Sequence, residues 1–369
     1  MKIRRIILFV VVAASVAALA SCSKVDFAQE ARTYRAITFE VARYTVRSSS
    51  DTTDYASAYA AVPFGSYAWF KGETPANDTV FMSAQKVAYD GERWATAGIT
   101  YYWPRSGSLD FISYSPYIDT LTSVPAVTEN SISWTGWSVA DHPTTDLMYA
   151  TKAVGQTDNA HSFYYSGVPT LFHHALAKVG VNVRLAYVEK TAPTGDKTRW
   201  DVTVHGIRLR NIRTAGSLTL NLNVDGRNWN RPDSNTWAPA GSPVDIVLDC
   251  SSLPLLDSTD THAVDTTRLV LPQMLSGGQL ADLEITVRTW RDTGSGYQLF
   301  LTEDHVHATV PLTTSALPSW GINQYINYNF VLAPSLAFDN GTELEPVTVT
   351  FDPAVGDWEQ VNMNATIKL

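Results

Sequence analysis

The feature that most constrains the fold of this chain is a period-2 alternation of apolar side chains. From Ala175 to Leu185 every second residue is apolar, and most of the residues between them are polar. Successive side chains of a β-strand point to opposite faces, so this spacing predicts a half-buried strand and not a helix. Similar rows recur at residues 218–224, 283–287, 326–332, 347–351 and 361–369.

Turn residues separate these rows, and no stretch combines a sustained 3.6-residue apolar period with helix caps. Many short strands between turns are typical of antiparallel sandwiches, and the length is sufficient for about two of them. We therefore predict an all-β fold of two antiparallel β-sandwich domains in tandem. The N-terminal domain is expected at residues 36–166 and the C-terminal domain at residues 167–369.

A change of phase in one apolar row predicts a local irregularity. The row moves from Val202 and Val204 to Ile207 and Leu209 on crossing Gly206. A glycine at such a shift favours a β-bulge.

The first residues of the chain are typical of an export signal. Basic residues in the first five positions precede an apolar run at residues 6–20, which is shorter than a spanning helix requires. The run ends in the sequence LASC, which resembles a bacterial lipobox. This resemblance implies that residues 1–21 are removed, that Cys22 is lipidated, and that residues 22–35 form a spacer.

The other cysteine and the charge exclude further classes of protein. With Cys22 lipidated, Cys250 has no disulfide partner, so the exported body must be held together by its core. The net charge of −9 argues against a nucleic-acid partner, whose phosphates would repel the chain.

Further motifs occur in an order that resembles a known family. YYWP precedes LDFISYSPY, DLMYA precedes VPTLFHHALAKVGVNV, and INQYINYNFVL and VTVTFDPAVGDWE follow near the end. This order resembles the fimbrillin family (Mfa-like proteins) of Bacteroidota, the subunits of type V fimbriae. The resemblance implies two domains of transthyretin-like topology, an outer-membrane lipoprotein at the cell surface, and head-to-tail assembly with other fimbrial subunits into a fimbrium.

The resemblance also implies how the subunits assemble. In fimbrillins a trypsin-like protease cuts after an arginine near the N-terminus, the first strand leaves, and the groove accepts a strand of the next subunit. The strand that would be displaced here lies within residues 36–47 and carries Ile37, Phe39 and Val41 on one face.

Two bonds fit the protease, and a role without cleavage stays open. Arg47–Ser48 is preferred because a small, polar segment follows it, and Arg43–Tyr44 is second. Arg47 equally fits a charged residue at a strand end, in an anchor or tip subunit that needs no cleavage.

The candidate donor is the C-terminal strand EQVNMNATIKL. It either inserts into the next subunit or completes its own domain, and the sequence favours neither. Its apolar face consists of Val361, Met363, Ala365, Ile367 and Leu369.

The residues give no reason to expect an enzyme, a cofactor or a metal. No nucleophile elbow, P-loop or zinc-ligand quartet occurs in the sequence. His305 and His307 share a strand face and would bind a metal only if a third ligand approached; we interpret them as surface histidines. The sequence DTGSG at residues 292–296 predicts a hairpin turn. His173 is expected in the buried row and His174 on the opposite face, so this pair cannot chelate one ion.

A second class of function is an outer-membrane surface lipoprotein that binds glycans through exposed aromatic side chains. Trp134, Trp137, Trp229 and Trp237 are the candidate stacking platforms, with Trp237 in a polar loop. A host protein or a glycan is accordingly the expected receptor for either class.

Overall fold

The structure is a computed structural model, and it describes most of the chain. The described residues are 35–41, 62–118, 124–158, 167–222, 237–248, 252–255, 262–315, 317–334 and 359–368. For residues 262–266 and 359–368 the backbone alone is described.

The regular secondary structure of the described residues consists almost entirely of β-strands, which confirms the predicted all-β class. A short 3-10 helix lies at Pro75–Asn77, and no helix in the described residues is long and apolar enough to cross a membrane. The first eleven strands are β1 (Thr38–Val41), β2 (Phe64–Lys71), β3 (Thr79–Tyr89), β4 (Trp94–Thr96), β5 (Ser108–Ser115), β6 (Ala126–Thr128), β7 (Ser131–Ser138), β8 (Met148–Ala150), β9 (Ala153–Gln156), β10 (Val168–Thr170) and β11 (Phe172–His174). The next fourteen are β12 (Ala177–Leu185), β13 (Glu189–Thr191), β14 (Lys197–Ile212), β15 (Ala215–Asn221), β16 (Trp237–Ala240), β17 (Val244–Leu248), β18 (Leu253–Leu255), β19 (His262–Val270), β20 (Gln273–Met274), β21 (Leu280–Asp292), β22 (Gln298–Pro311), β23 (Ser319–Trp320), β24 (Gln324–Ala333) and β25 (Glu359–Lys368).

These strands form one large sheet and several smaller ones. The nine-stranded sheet has the order β10-β1-β4-β3-β2-β5-β8-β11, with β9 also paired to β5. The six-stranded sheet has the order β13-β14-β21-β22, with β17 and β18 also paired to β14. Two four-stranded sheets have the orders β19-β12-β24-β25 and β16-β15-β7-β6, and β20 pairs with β23.

Most described strand pairs are antiparallel, but three are parallel: β1 with β10, β12 with β24, and β24 with β25. Parallel neighbours need a long crossover connection. Between β12 and β24 the chain builds the whole six-stranded sheet, which supplies that crossover.

The predicted apolar rows lie in three buried clusters. The largest joins the β19-β12-β24-β25 sheet to the six-stranded sheet, as shown by Val181, Val204, Ile285 and Tyr328. A second joins the nine-stranded sheet to the β16-β15-β7-β6 sheet. The third lies along the nine-stranded sheet and is rich in aromatic rings.

Strand pairing crosses the predicted border between residues 166 and 167. The strands β10 and β11 follow that border, yet they pair with β1 and β8, which precede it. In the same way β15 pairs with β7. The division into residues 36–166 and 167–369 stays a prediction, and the two segments share sheets.

Two local predictions are confirmed. The ladder between β14 and β21 shifts register between Val204 and Gly206, where the bulge was expected. The sequence DTGSG joins the paired strands β21 and β22, and Asp292 Oδ1 accepts hydrogen bonds from Gly294 N (2.8 Å) and Gly296 N (2.9 Å).

The predicted orientation of the tandem histidines is wrong. His174 is buried and His173 is half-buried, the reverse of the expectation. The reason is a bend at Ala175–Leu176, which ends β11 before β12 begins, so the alternation does not continue backward through it. The stretch is therefore two strands in two different sheets.

Candidate functional site

The predicted first strand, β1, lies inside the nine-stranded sheet and not at its edge. It pairs in parallel with β10 and antiparallel with β4. Just before the strand, Ile37 N donates to Tyr101 O at 2.9 Å, and Trp103 N donates to Arg35 O at 3.1 Å. Backbone groups on both flanks thus hold a segment of only a few residues.

The side chains of this segment fill a closed apolar groove. Ile37, Phe39 and Val41 are 1%, 3% and 9% exposed, so all three predicted positions lie on one buried face. The ring of Phe39 makes edge contacts with Phe64 and Phe111, at centroid distances of 5.5 and 5.8 Å. Glu40, on the opposite face, is exposed.

A glycine allows the backbone of β1 to approach β10 closely. A Cβ atom on Gly167 would lie 2.7 Å from both the carbonyl carbon of Phe39 and the amide nitrogen of Glu40. Such distances are shorter than van der Waals contact, so a larger residue here would push the strand out of the groove.

We use the name β1 groove for the space between β4 and β10 that these residues line. It can hold one short extended segment with three alternate apolar side chains. Main-chain hydrogen bonds on both sides would fix the register, as they do when a strand is added to a sheet. Whether β1 is displaced from this groove stays a prediction.

The other predicted assembly residues lie partly outside the described chain. Cys22, Arg47 and Ser48 belong to residues that the structure does not describe, and so does Leu369. The backbone of β25 carries the positions of the remaining four donor residues. They are Val361, Met363, Ala365 and Ile367.

The strand β25 lies at the end of its sheet, on β24. The two pair in parallel from Gln324 opposite Glu359 to Ala333 opposite Lys368. In this structure the C-terminal strand therefore extends a sheet of its own chain. β25 has only one neighbour in the described sheet. Its removal would therefore leave the pairing of β19, β12 and β24 unchanged.

The tandem histidines form separate contacts. His174 Nδ1 lies 2.7 Å from Asp146 Oδ2, and His173 Nε2 lies 2.9 Å from Thr151 Oγ1. Burial, and secondly the charge of His174, hold the pKa of His173 below its ordinary value. Different partners hold the two rings, in keeping with structural roles.

The tryptophans considered as glycan platforms are buried where the structure describes them. Trp134, Trp137 and Trp237 are 2%, 3% and 5% exposed, which corrects the expectation that Trp237 is accessible. Its indole Nε1 donates to Ala175 O at 2.7 Å, so the ring packs inward. Trp229 lies outside the described residues.

The sequence did not predict one cluster of potential metal ligands. His205, Asp304 and His305 each place a potential ligand atom within 4.8 Å of the others. The sequence analysis considered His305 but not His205, which comes from a strand distant in the sequence. The bulge predicted at Gly206 was the available signal, because a bulge redirects the residue beside it.

Comparisons with known proteins agree with the fold. A family model described as fimbrillin-like matches residues 52–358. The chain is similar to the crystal structure of a fimbrial protein from Bacteroides vulgatus, with 16% identity, 81% of this chain and 95% of that chain covered, and a TM-score of 0.54. It is also similar to a candidate cell adhesion protein from Bacteroides uniformis, with 18% identity, coverage of 82% and 93%, and a TM-score of 0.43. No curated protein matches the chain.

Proposed function

This chain belongs to the fimbrillin-like family, and from that premise we propose that it is a lipid-anchored fimbrial subunit that polymerises by protease-triggered strand exchange. Family membership itself supports the broader statement: the chain is a fimbrial or adhesive protein of the cell surface that associates with other fimbrial subunits. It also indicates a structural role and not an enzymatic one.

The observation that carries the proposal is the internal position of β1. A strand with neighbours on both sides leaves a groove when it is removed, whereas the loss of an edge strand leaves only a new edge. Burial of three apolar side chains is worth about 5 to 9 kcal/mol in total. An emptied groove therefore strongly favours a new occupant of the same pattern.

The C-terminal strand fits the requirements for that occupant. It alternates apolar and polar residues over a length greater than that of β1. It also lies at the end of its own sheet, where its departure leaves the β12–β24 pairing in place. Insertion into the groove of the next subunit is a head-to-tail contact, and such contacts give an open filament.

In the proposed maturation, Cys22 is the lipidated residue and Arg47–Ser48 is the bond that is cut. Both precede β2 in the chain, with β1 between them. Cleavage would consequently separate β1 and the lipid anchor from the subunit body in a single step.

The test uses the full chain, labelled with radioactive palmitate in cells and then treated with an arginine-specific, trypsin-like protease. We expect a body that begins at Ser48 in mass spectrometry, SDS-resistant multimers in a ladder, and the label on the small released fragment. Cys22→Ala should carry no label.

Two matched variants sharpen this test. Arg47→Gln should stay uncut and monomeric, while Arg43→Gln should be cut and should assemble as the unchanged chain does. A chain lacking residues 359–369 should be cut but form no ladder. An intact, monomeric wild-type chain after protease treatment would contradict the exchange mechanism, and a ladder from the truncated chain would contradict the choice of donor.

A further inference from the structure

The outer face of the six-stranded sheet carries a cluster of imidazole and carboxylate groups that the fimbrial role does not use. Two β-bulges build it, one on each side of the central strand β21. On β14 the ladder slips between Val204 and Gly206, so His205 is the extra residue. On β22 the ladder slips beside Thr286, and His305 there has a φ of 49°.

The bulges bring together side chains from strands that are not neighbours. Strands on the two sides of a central strand are separated by about 10 Å, twice the ordinary spacing. The rings of His205 and His305 nevertheless stack with their centroids 4.4 Å apart. Without the two bulges, regular strands would not bring an imidazole of β14 into contact with an imidazole of β22 across β21.

Each histidine has a partner at Nδ1. His305 Nδ1 lies 2.7 Å from Glu284 Oε1, and His205 Nδ1 lies 3.3 Å from Ser252 Oγ. Metal-bound histidines typically donate their second N–H to a carboxylate or another acceptor, which fixes the ring and its tautomer. His305 Nε2 can therefore serve as a ligand while its Nδ1 stays hydrogen-bonded, and His205 Nε2 can do so once it gives up its own hydrogen bond to Thr286.

The Nε2 atoms lie around one carboxylate. His305 Nε2 is 4.0 Å from Asp304 Oδ1. The Thr286 hydroxyl donates to Asp304 Oδ1 at 2.6 Å and lies 2.8 Å from His205 Nε2. Because the hydroxyl donates its single proton to Asp304, it accepts a hydrogen bond from His205 Nε2–H, and a bound ion would take the place of that proton.

From this arrangement we propose that His205, Asp304 and His305 form a binding site for a zinc-type divalent ion, positioned by Glu284 and Thr286. Two imidazoles and a carboxylate are a ligand set that Zn²⁺ takes in proteins, with a fourth position open to water. The ligand atoms would close to separations of about 3.4 Å around the ion. Asp304 and His305 can make this movement because their side chains are 68% and 56% exposed.

The carboxylates supply the chemistry that the site requires. Aspartate and glutamate side chains are ordinarily ionised at neutral pH. Asp304 can therefore act as a ligand, and Glu284 can accept a hydrogen bond from Nδ1–H of His305.

The test is a calorimetric titration of the untagged full chain with zinc chloride at pH 7.5. We expect one Zn²⁺ per chain. Substitution of a ligand (His205→Ala, His305→Ala or Asp304→Asn) should weaken the affinity at least ten-fold, and Glu284→Gln should weaken it roughly 10- to 100-fold. Asp304→Asn changes an exposed side chain, so this variant tests the site without a risk to folding.

His307→Ala is the matched control. His307 lies two residues along the same strand, but its Nδ1 pairs with Asp282 Oδ1 at 2.9 Å, outside the three-ligand cluster. Its loss should change the affinity less than two-fold. Cobalt gives an independent readout, since a protein-bound Co²⁺ absorption band should appear with the wild type and be lost with Asp304→Asn. Absence of stoichiometric binding, or an equal loss in His307→Ala and His305→Ala, would overturn the proposal.

Discussion

At the scale of single residues, the described chain contains a buried ion pair between Lys152 and Asp110. Lys152 Nζ lies 3.3 Å from Asp110 Oδ2, and the side chains are 7% and 6% exposed. Each group has one further hydrogen bond, since Gly155 N donates to Asp110 Oδ1 at 2.8 Å and Lys152 Nζ donates to Asn130 Oδ1 at 3.2 Å. Removal of either partner would leave the other charge buried without a counter-charge, which strongly destabilises a fold.

We expect Asp110→Asn to lower the free energy of unfolding by about 3 to 5 kcal/mol, because it leaves a buried ammonium without its counter-charge. The combined replacement Asp110→Leu with Lys152→Met should recover most of that loss. Urea denaturation measures both. The control is Lys197→Gln, which breaks a surface pair with Glu189 at 3.9 Å and should cost less than about 1 kcal/mol. Equal decreases in the free energy of unfolding for Asp110→Asn and Lys197→Gln would show that burial does not determine how much an ion pair contributes.

At the scale of single elements, β1 depends on a close backbone approach more than on its length. Four residues make only a few ladder bonds, so the packing of Phe39 and the contact at Gly167 determine how firmly the strand is held. A methyl group at position 167 would enter the space that the β1 backbone occupies.

Gly167→Ala is therefore expected to weaken the docking of β1 by about 1 to 3 kcal/mol. Amide hydrogen exchange at residues 38–41 should become several-fold faster, while exchange in β12 and β24 stays unchanged. Gly277→Ala is the control, since a Cβ atom there would meet nothing within 4 Å. Unchanged exchange in β1 of the Gly167→Ala variant would contradict this account.

The elements also show how far the sequence could predict the fold. Alternation predicted β12, β15, β21 and β24 because it reports which face of a strand is buried. It does not report which strand lies alongside, so the parallel pairing of β1 with β10 was not predictable. The bulge at Gly206 was predictable from a phase shift. Its partner on β22 was not, because the DHVHATV stretch keeps its apparent period through the bulge.

The same limit applies to the sites. The buried face formed by Ile37, Phe39 and Val41 could be predicted from spacing, since the three are alternate residues of one extended segment, with Ile37 directly before β1. The zinc-type cluster could not, since it joins His205 to residues about a hundred positions later. The orientation predicted for the tandem histidines is wrong because a bend at Ala175–Leu176 interrupts the apolar row from which it was inferred.

At the scale of the whole molecule, the sheets connect the two halves of the chain. β7 pairs with β15, and β1 and β8 pair with β10 and β11, so the first half depends on strands from the second. Independent folding of each half would require these pairings to be replaced.

We expect residues 36–166 expressed alone to fail to fold, because β10, β11 and β15 would be missing from its sheets. Circular dichroism and thermal unfolding should show no cooperative transition. A chain that ends at residue 334 is the control: it loses β25, which lies at the end of its sheet, and should still unfold cooperatively. Cooperative unfolding of residues 36–166 would instead support two self-sufficient domains.

The covalent link between β1 and β2 has a kinetic consequence for the proposed assembly. While residues 42–63 are intact, β1 is covalently attached to the subunit that holds its groove, so it competes for that groove as a tethered, intramolecular segment. A donor strand from another molecule must compete with that local excess, so precursors would remain separate even when crowded. Once the link is cut, β1 loses that intramolecular advantage, and the released segment stays with the lipid anchor while the subunit body can leave it. A single peptide bond thus determines whether strand exchange depends on local or on bulk concentration.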